Sequence, residues 1–327
     1  VSHPLLAAEA VELAIVSRSG FDESRHSGAA VVVSPDGSVA RQLGNGDSLV
    51  FGRSSLKLFQ AIAVLRAGVA LEGAQLVAAT ASHGGTAEHL RIVEQLLARA
   101  GLGEEALQCP ADWPLDGAAR RASTAPGRLQ MNCSGKHAAF LLACVTNGWP
   151  TESYLEPAHP LQRLIRSTIE EFTGEIVEHV GVDGCGAPVF STSLRALATA
   201  VGRVASATTE SGDRDAARLT AAIRGNAWVI DGVGRPNTVV IEQLGIIAKG
   251  GAEGVMVMGL ADGTAVALKI LDGGARAATL VAIELLASVG AVGRGDADRV
   301  IALTTDDVLG GGLPVGRVRA SELVLGG

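Results

Sequence analysis

Aromatic side chains are scarce in this chain, only 3% of its 327 residues, and its formal net charge is −7. A nucleic-acid binder needs a basic stripe to meet phosphates and rings on which bases stack, and neither is present. Long hydrophobic runs are also missing. LVAIELLASVG falls well short of the roughly 18 apolar residues a membrane span requires. Cysteine is too sparse for a disulfide scaffold, since Cys109, Cys133, Cys144 and Cys185 are scattered through a long chain. The opening VSHPLLAAEA lacks the basic and apolar regions of a secretion signal, so a reducing cytoplasm is the expected address. Lysine is rare too. Of 27 basic residues only Lys57, Lys136, Lys249 and Lys269 are lysines. Arginine does not give up its proton in proteins, whereas lysine can act as base or ligand, so these four repay individual inspection.

What the chain has in quantity is apolar material, 47% of residues, enough for a large buried core. No block of like charge points to disorder. VELAIVSRSG reads as a strand, and GAAVVVSPDGSVARQLG as a hairpin turning at Pro35-Asp36-Gly37. A helix is expected from about Ser54 to Ala67, with Leu58, Phe59, Ile62 and Leu65 at helical spacing. The middle is mostly helical, in EHLRIVEQLLARAG, SGKHAAFLLACVTNG, HPLQRLIRSTIEEFTG, STSLRALATAVGRV and RDAARLTAAIRGN. Sheet is expected again in NTVVIEQLGIIAKGG, EGVMVMGLADG and TAVALKILDGG, followed by the helix ARAATLVAIELLASVG and a short tail. This order predicts an α+β fold, with one antiparallel sheet built from both chain ends and a helical lobe inserted between. In a single unit, residues 1–52 and 226–327 would form the sheet lobe and 53–225 the helical lobe. An active site would lie between them.

Three groups of residues suggest chemistry. Ser54-Ser55-Leu56-Lys57 has the Ser-x-x-Lys spacing, close to one helical turn, which lets the lysine amine take the serine proton. Such a lysine must be partly neutral, which burial or a second cation can achieve. The plainer reading makes Ser54 a helix cap and Lys57 a solvated side chain. Lys249-Gly250-Gly251 ends a strand candidate, where a lysine can lie under a ligand carboxylate or shuttle protons, and Ser82 sits in the loop Ala81-Ser82-His83-Gly84-Gly85. Serine acyl-transfer enzymes carry a Ser-x-x-Lys, a loop serine and a strand lysine in this order. The third group is Asn132-Cys133-Ser134-Gly135-Lys136-His137 with Val182-Asp183-Gly184-Cys185-Gly186. Two thiolates, a nitrogen and a water would satisfy tetrahedral zinc, although free thiols are the commoner state of such cysteines. The Gly-rich stretches fit no phosphate loop.

The blocks RSSLKLFQA, ASHGGTAEH, NCSGKHAAFLL, VDGCGAPVF and AKGGAEGV resemble the bacterial L-asparaginase II family of the Rhizobium etli type, over about residues 50 to 275. The resemblance implies a fold similar to serine β-lactamases, penicillin-binding proteins and glutaminases, and hydrolysis of L-asparagine to L-aspartate and ammonia. It implies catalytic Ser54, Lys57, Ser82 and Lys249, with Lys249 preferred to Lys269 because it occupies the Lys-Gly-Gly position. It also implies Zn²⁺ on Cys133, Lys136 and Cys185 as a support for substrate binding, with Asp183 close by, and a homodimer; Arg53, His137 and Asp183 are the candidates for contact with the substrate. Leu58 stands where the family has proline, and Gly85-Thr86 departs from its usual loop. A glutaminase, or another serine amidase or esterase on the same scaffold, is the rival within enzymes. A binding module that kept the pocket but lost turnover is the rival outside them. No nucleic-acid or membrane partner is expected.

Overall fold

The computed structural model describes residues 3–326, which divide into two compact units: residues 3–55, 191–206 and 239–326 form one, and residues 56–190 and 207–238 the other. The first is the sheet unit. Its strands are β1 (Val11–Arg18), β2 (Phe21–Val33), β3 (Val39–Leu43) and β4 (Leu49–Phe51), and later β7 (Ile247–Gly251), β8 (Val255–Gly259), β9 (Ala265–Ile270), β10 (Val308–Gly310) and β11 (Leu313–Ala320). Between these two runs come β5 (Val180–Val182) and β6 (Pro188–Ser193). The main sheet has the order β10-β11-β1-β2-β9-β8-β7, with β3 also paired to β2, and every ladder is antiparallel. Both chain ends build it, as the sequence pattern predicts.

The long strand β2 changes partner near Gly28. Its first half pairs with β1 (Val16 opposite Ser24), its second with β9 (Val31 opposite Ala267). A Cβ on Gly28 would lie 2.1 Å from the Lys269 carbonyl oxygen, so only glycine permits the approach. All five residues of β8 are buried, without the alternation of a half-solvated sheet. Helices Leu194–Ser206 and Ala278–Ser288 both pack on β8 and β9 and cover the two faces.

The second unit is helical. Its longest helices are Ala87–Arg99, Ser134–Asn147 and Pro160–Thr173. Ala87–Arg99 buries His89, Ile92, Val93, Leu96 and Leu97, the stripe of an amphipathic helix. In Lys57–Arg66 nine of ten residues are buried, so this helix runs through the core. Helix Pro160–Thr173 starts with the His159 ring accepting from Leu161 N–H and proline at the first turn, and stops at Gly174 in the left-handed region. In this unit β5 pairs with the first half of β6, Val182 opposite Pro188.

Four expectations are corrected. NTVVIEQLG is not strand: Pro236–Leu244 is a helix, and β7 begins only at Ile247. The Val-Val-Ile run suits a buried strand or a buried helix equally, and the carboxylate of Asp231 settles it by accepting from the N–H groups of Asn237 and Thr238 at the helix start. The tail is longer in structure than expected, for it holds helix Arg294–Thr304 and the strands β10 and β11. β11 pairs with β1 with Ala320 opposite Ala14, and Gly316 lies so close to Ser17 that a Cβ would fall 1.8 Å from its carbonyl oxygen. The unit boundaries also move. Residues 191–206 group with the sheet because that helix packs on β2, β8 and β9, while 226–238 group with the helices. Finally, the α-helix expected from Ser54 begins at Lys57, behind a 3₁₀ turn at Arg53–Leu56.

Candidate functional site

In the sheet unit, the turn Gly52–Ser55 lies against the end of edge strand β7. A Cβ on Gly251 would come within 3.1 Å of the Gly52 carbonyl oxygen and 3.3 Å of Ser54 N, so the second glycine of Lys249-Gly250-Gly251 permits the close approach. The two serines of the turn differ in use. Ser55 is fully buried and donates to the Gly52 carbonyl at 2.6 Å, which occupies it structurally, whereas Ser54 is half-buried. Arg53, just before it, has φ +50°, and Glu253 in the β7–β8 turn has φ +60°. These are two of three non-glycine residues with positive φ among the described residues, and their side chains approach to 3.9 Å. Backbone held in this region costs about 1–3 kcal/mol and concentrates at functional positions.

Lys249 and Lys269 are placed differently. Lys249 is wholly buried on β7, its Nζ donating to the Gly250 carbonyl at 2.7 Å among its contacts. Lys269 lies two strands away on β9, its amine bound to the Glu253 and Ile270 carbonyls at 2.6 Å each. Burial lowers the Lys269 pKa, against the opposing pull of Glu253 and Asp272.

In the helical unit, Lys57 is buried and donates to the Ala81 carbonyl at 2.6 Å and to Ser82 Oγ at 3.0 Å. The Ser82 loop is held from both sides: Ser82 N–H donates to the Ile230 carbonyl and His83 N–H to the Asn132 carbonyl. Gly85 has φ +76° with the Gln130 carbonyl 3.1 Å from where a Cβ would sit, which accounts for glycine at this departure from the family pattern. His83 accepts from Gly85 N–H at Nδ1 and meets Ser134 Oγ at 2.9 Å through Nε2.

Ser134 opens the helix that carries the third group. Gly135 permits the crossing of this helix with the chain at Ala78, whose carbonyl oxygen would lie 2.6 Å from a Cβ. Cys133 caps the helix and Lys136 projects from its first turn. Cys185 comes from the turn between β5 and β6, which Gly186 closes with φ +86°. Lys136 Nζ lies 3.0 Å from Cys185 Sγ, and all three side chains are buried. A hydrogen bond from the Cys133 thiol lowers the Cys185 pKa far below the usual thiol range, against burial and with help from the Lys136 cation. The same bond, reinforced by burial, raises Cys133 well above its usual value. Burial would lower the Lys136 amine, but the sulfurs of Cys185 and Cys133 prevail and raise it. Negative charge therefore gathers on Cys185 beside the Lys136 amine, while the Cys133 thiol also lies 2.9 Å from its acceptor Asn132 Oδ1. Asp183 is half-buried in the same turn, and His137 is wholly buried beside Lys136.

Two buried sulfurs and an amine are a donor set that suits a soft cation such as zinc, with a water completing the shell. Among the described residues, no three histidine, cysteine, aspartate or glutamate side chains gather as a metal site, so any such centre here depends on the lysine. Two neighbours escaped the sequence pattern. Cys109 is near enough to Cys185 to be raised, mainly by burial, to about 11. Tyr154, the only tyrosine in the chain, bonds His137. Both approach only through tertiary folding, so no local spacing announces them. Among the described residues no helix is long and apolar enough to cross a membrane.

The chain matches no curated protein. Its fold resembles a crystal structure of Mglu in its glutamate form at 12% identity and TM-score 0.45, covering 81% of this chain and 61% of that one. It also resembles a Bacillus glutaminase at 11% identity and TM-score 0.41, covering 75% and 83%. A beta-lactamase from Mycobacterium bovis matches at 14% identity and TM-score 0.37, covering 84% and 94%. The chain spans about three fifths of the length of the Mglu structures, 61–63% in the two first matched. The L-asparaginase II family model matches residues 14–320, nearly the whole length and every residue of the candidate site. The chain belongs to the L-asparaginase II family.

Proposed function

We propose that the protein hydrolyses L-asparagine to L-aspartate and ammonia through a serine acyl-enzyme. Family membership supports the reaction class. The observation that carries the mechanism is the Lys57 amine bonded to Ser82 Oγ at 3.0 Å, because it links the first serine–lysine pair of the sequence to the second serine. Ser54 is the nucleophile, since Ser55 is already committed to Gly52. Lys57 in its neutral form takes the Ser54 proton as the oxygen attacks the side-chain amide carbon. Backbone N–H groups of the turn at Ser54 hold the oxyanion. Ser82 and Lys249 pass a proton to the departing ammonia, and water then hydrolyses the β-aspartyl ester. Arg53 binds the α-carboxylate and Asp183 the α-ammonium.

Cys133, Lys136 and Cys185 would hold zinc, which when bound supports substrate placement. We take His137 to act from behind the pocket, because it is fully buried. A homodimer belongs to the same reading and follows from the family resemblance, while the cytoplasmic address follows from the sparse, scattered cysteines.

The test is ammonia release from L-asparagine and from L-glutamine by wild type and Ser54→Ala. Release from asparagine that falls at least about 10³-fold in the variant supports the proposal. Substantial residual turnover would move the nucleophile to Ser82. Preference for glutamine would change the substrate, and release from neither amide by folded protein would overturn the reading.

A further inference from the structure

The chain's single tyrosine, Tyr154, is wholly buried and stands behind the thiol cluster. Its phenol oxygen accepts from Gln108 N–H at 3.0 Å and lies 2.7 Å from Nδ1 of His137. The phenol has one proton to give, and Nδ1 is the acceptor within reach. Were Nδ1 protonated instead, it would face an oxygen already accepting from Gln108, and the buried phenol proton would have no acceptor. The arrangement therefore places the imidazole proton on Nε2. That atom is buried and has no hydrogen-bond partner of good geometry. It lies toward Cys185, close enough to favour negative charge on that sulfur. With Nδ1 taken up by the phenol proton, the ring carries a single N–H to aim.

We propose that Tyr154 is a positioning residue that locks His137 as the Nε2–H tautomer, so that this proton is held toward Cys185 Sγ and orients the sulfur for a soft cation. The relay runs from Gln108 N–H to the Tyr154 phenol, from the phenol proton to His137 Nδ1, and from Nε2–H to Cys185. Neither Tyr154 nor His137 touches the reacting atoms. The role of Cys185 as a zinc ligand rests on the proposed function, whereas the tautomer does not. A ring edge-on to His137, with centroids 5.7 Å apart, lets Phe keep the packing while removing only the hydroxyl.

The test is a long-range ¹H–¹⁵N spectrum of histidine-labelled, metal-free protein, followed by zinc titration against a chromophoric chelator. Wild type should show His137 as Nε2–H, and Tyr154→Phe should lose that single tautomer and bind zinc about 10-fold more weakly. His137→Gln, whose amide nitrogen can replace Nε2–H, should recover most of the zinc affinity lost in His137→Ala. An Nδ1–H ring in wild type overturns the inference even if the variant does not fold. A Tyr154→Phe protein with a changed tautomer but unchanged zinc affinity overturns the positioning role. Wild type that takes up no zinc refutes the metal reading, while the nitrogen spectrum still decides the tautomer.

Discussion

Lowering the pH from about 8 to about 5 should cost the protein stability through His83, and the sign follows from where its protons can go. Burial, reinforced by the nearby His89 and Lys57 charges, holds the folded His83 pKa well below its ordinary 6.5. Protonating Nδ1 would break the bond from Gly85 N–H, in a site with no exposed ring surface to rehydrate it. Protonating both rings would set two cations against each other, since His83 and His89 stack with centroids 5.2 Å apart. Unfolded chains accept a proton near 6.5 while the folded ring does not, so the unfolded state binds more protons below that pH. The stability is complete above 6.5 and falls as the pH drops. One such histidine gives a slope of about 1.4 kcal/mol per pH unit, or about 2 kcal/mol by pH 5. His89, also lowered mainly by burial, adds to the effect. Urea unfolding across this range, with wild type and His83→Asn compared at each pH, isolates the term. The variant should be less stable near pH 8 but lose less on acidification, so the two curves converge. Curves that stay parallel between about pH 6.5 and 5 would refute the reasoning.

Ser55→Ala should lower stability by about 1 kcal/mol, the worth of one buried hydrogen bond, because the Gly52 carbonyl keeps its bond from residue 55 N–H. Its turnover should stay within a few-fold of wild type in the ammonia assay, and a loss matching that of Ser54→Ala would mean the nucleophile is misassigned. Gly135→Ala should destabilise by about 1–3 kcal/mol, since its Cβ would stand 2.6 Å from the Ala78 carbonyl oxygen on a rigid backbone. Denaturant midpoints measure that cost, and a neutral result would mean the helix crossing is looser than the structure has it.

The order of the serine and lysine groups was legible in the sequence because it is written in local spacing. Ser54 and Lys57 are three residues apart, the loop serine precedes a helix, and Lys249 is followed by two small residues. What spacing cannot specify is which side chains meet after the chain returns. Lys57 bonds Ser82 across 25 residues, and Lys136 reaches Cys185 across 49. The helix Pro236–Leu244 was hidden for a different reason: its β-branched run satisfies two periodicities, and the deciding carboxylate of Asp231 precedes the helix. Composition could have pointed to Tyr154, since a lone tyrosine in a chain poor in aromatics needs a reason to be there. Its reason is tertiary: it is buried where its hydroxyl has one donor and one acceptor to satisfy. Arg53 shows the limit most plainly. Its sequence neighbours suggest only a charged residue before a serine, yet its backbone lies in a region that most residues avoid. Such strain is visible only after folding, and it persists because the packing of Gly251 against the Gly52–Ser54 turn leaves the backbone little alternative.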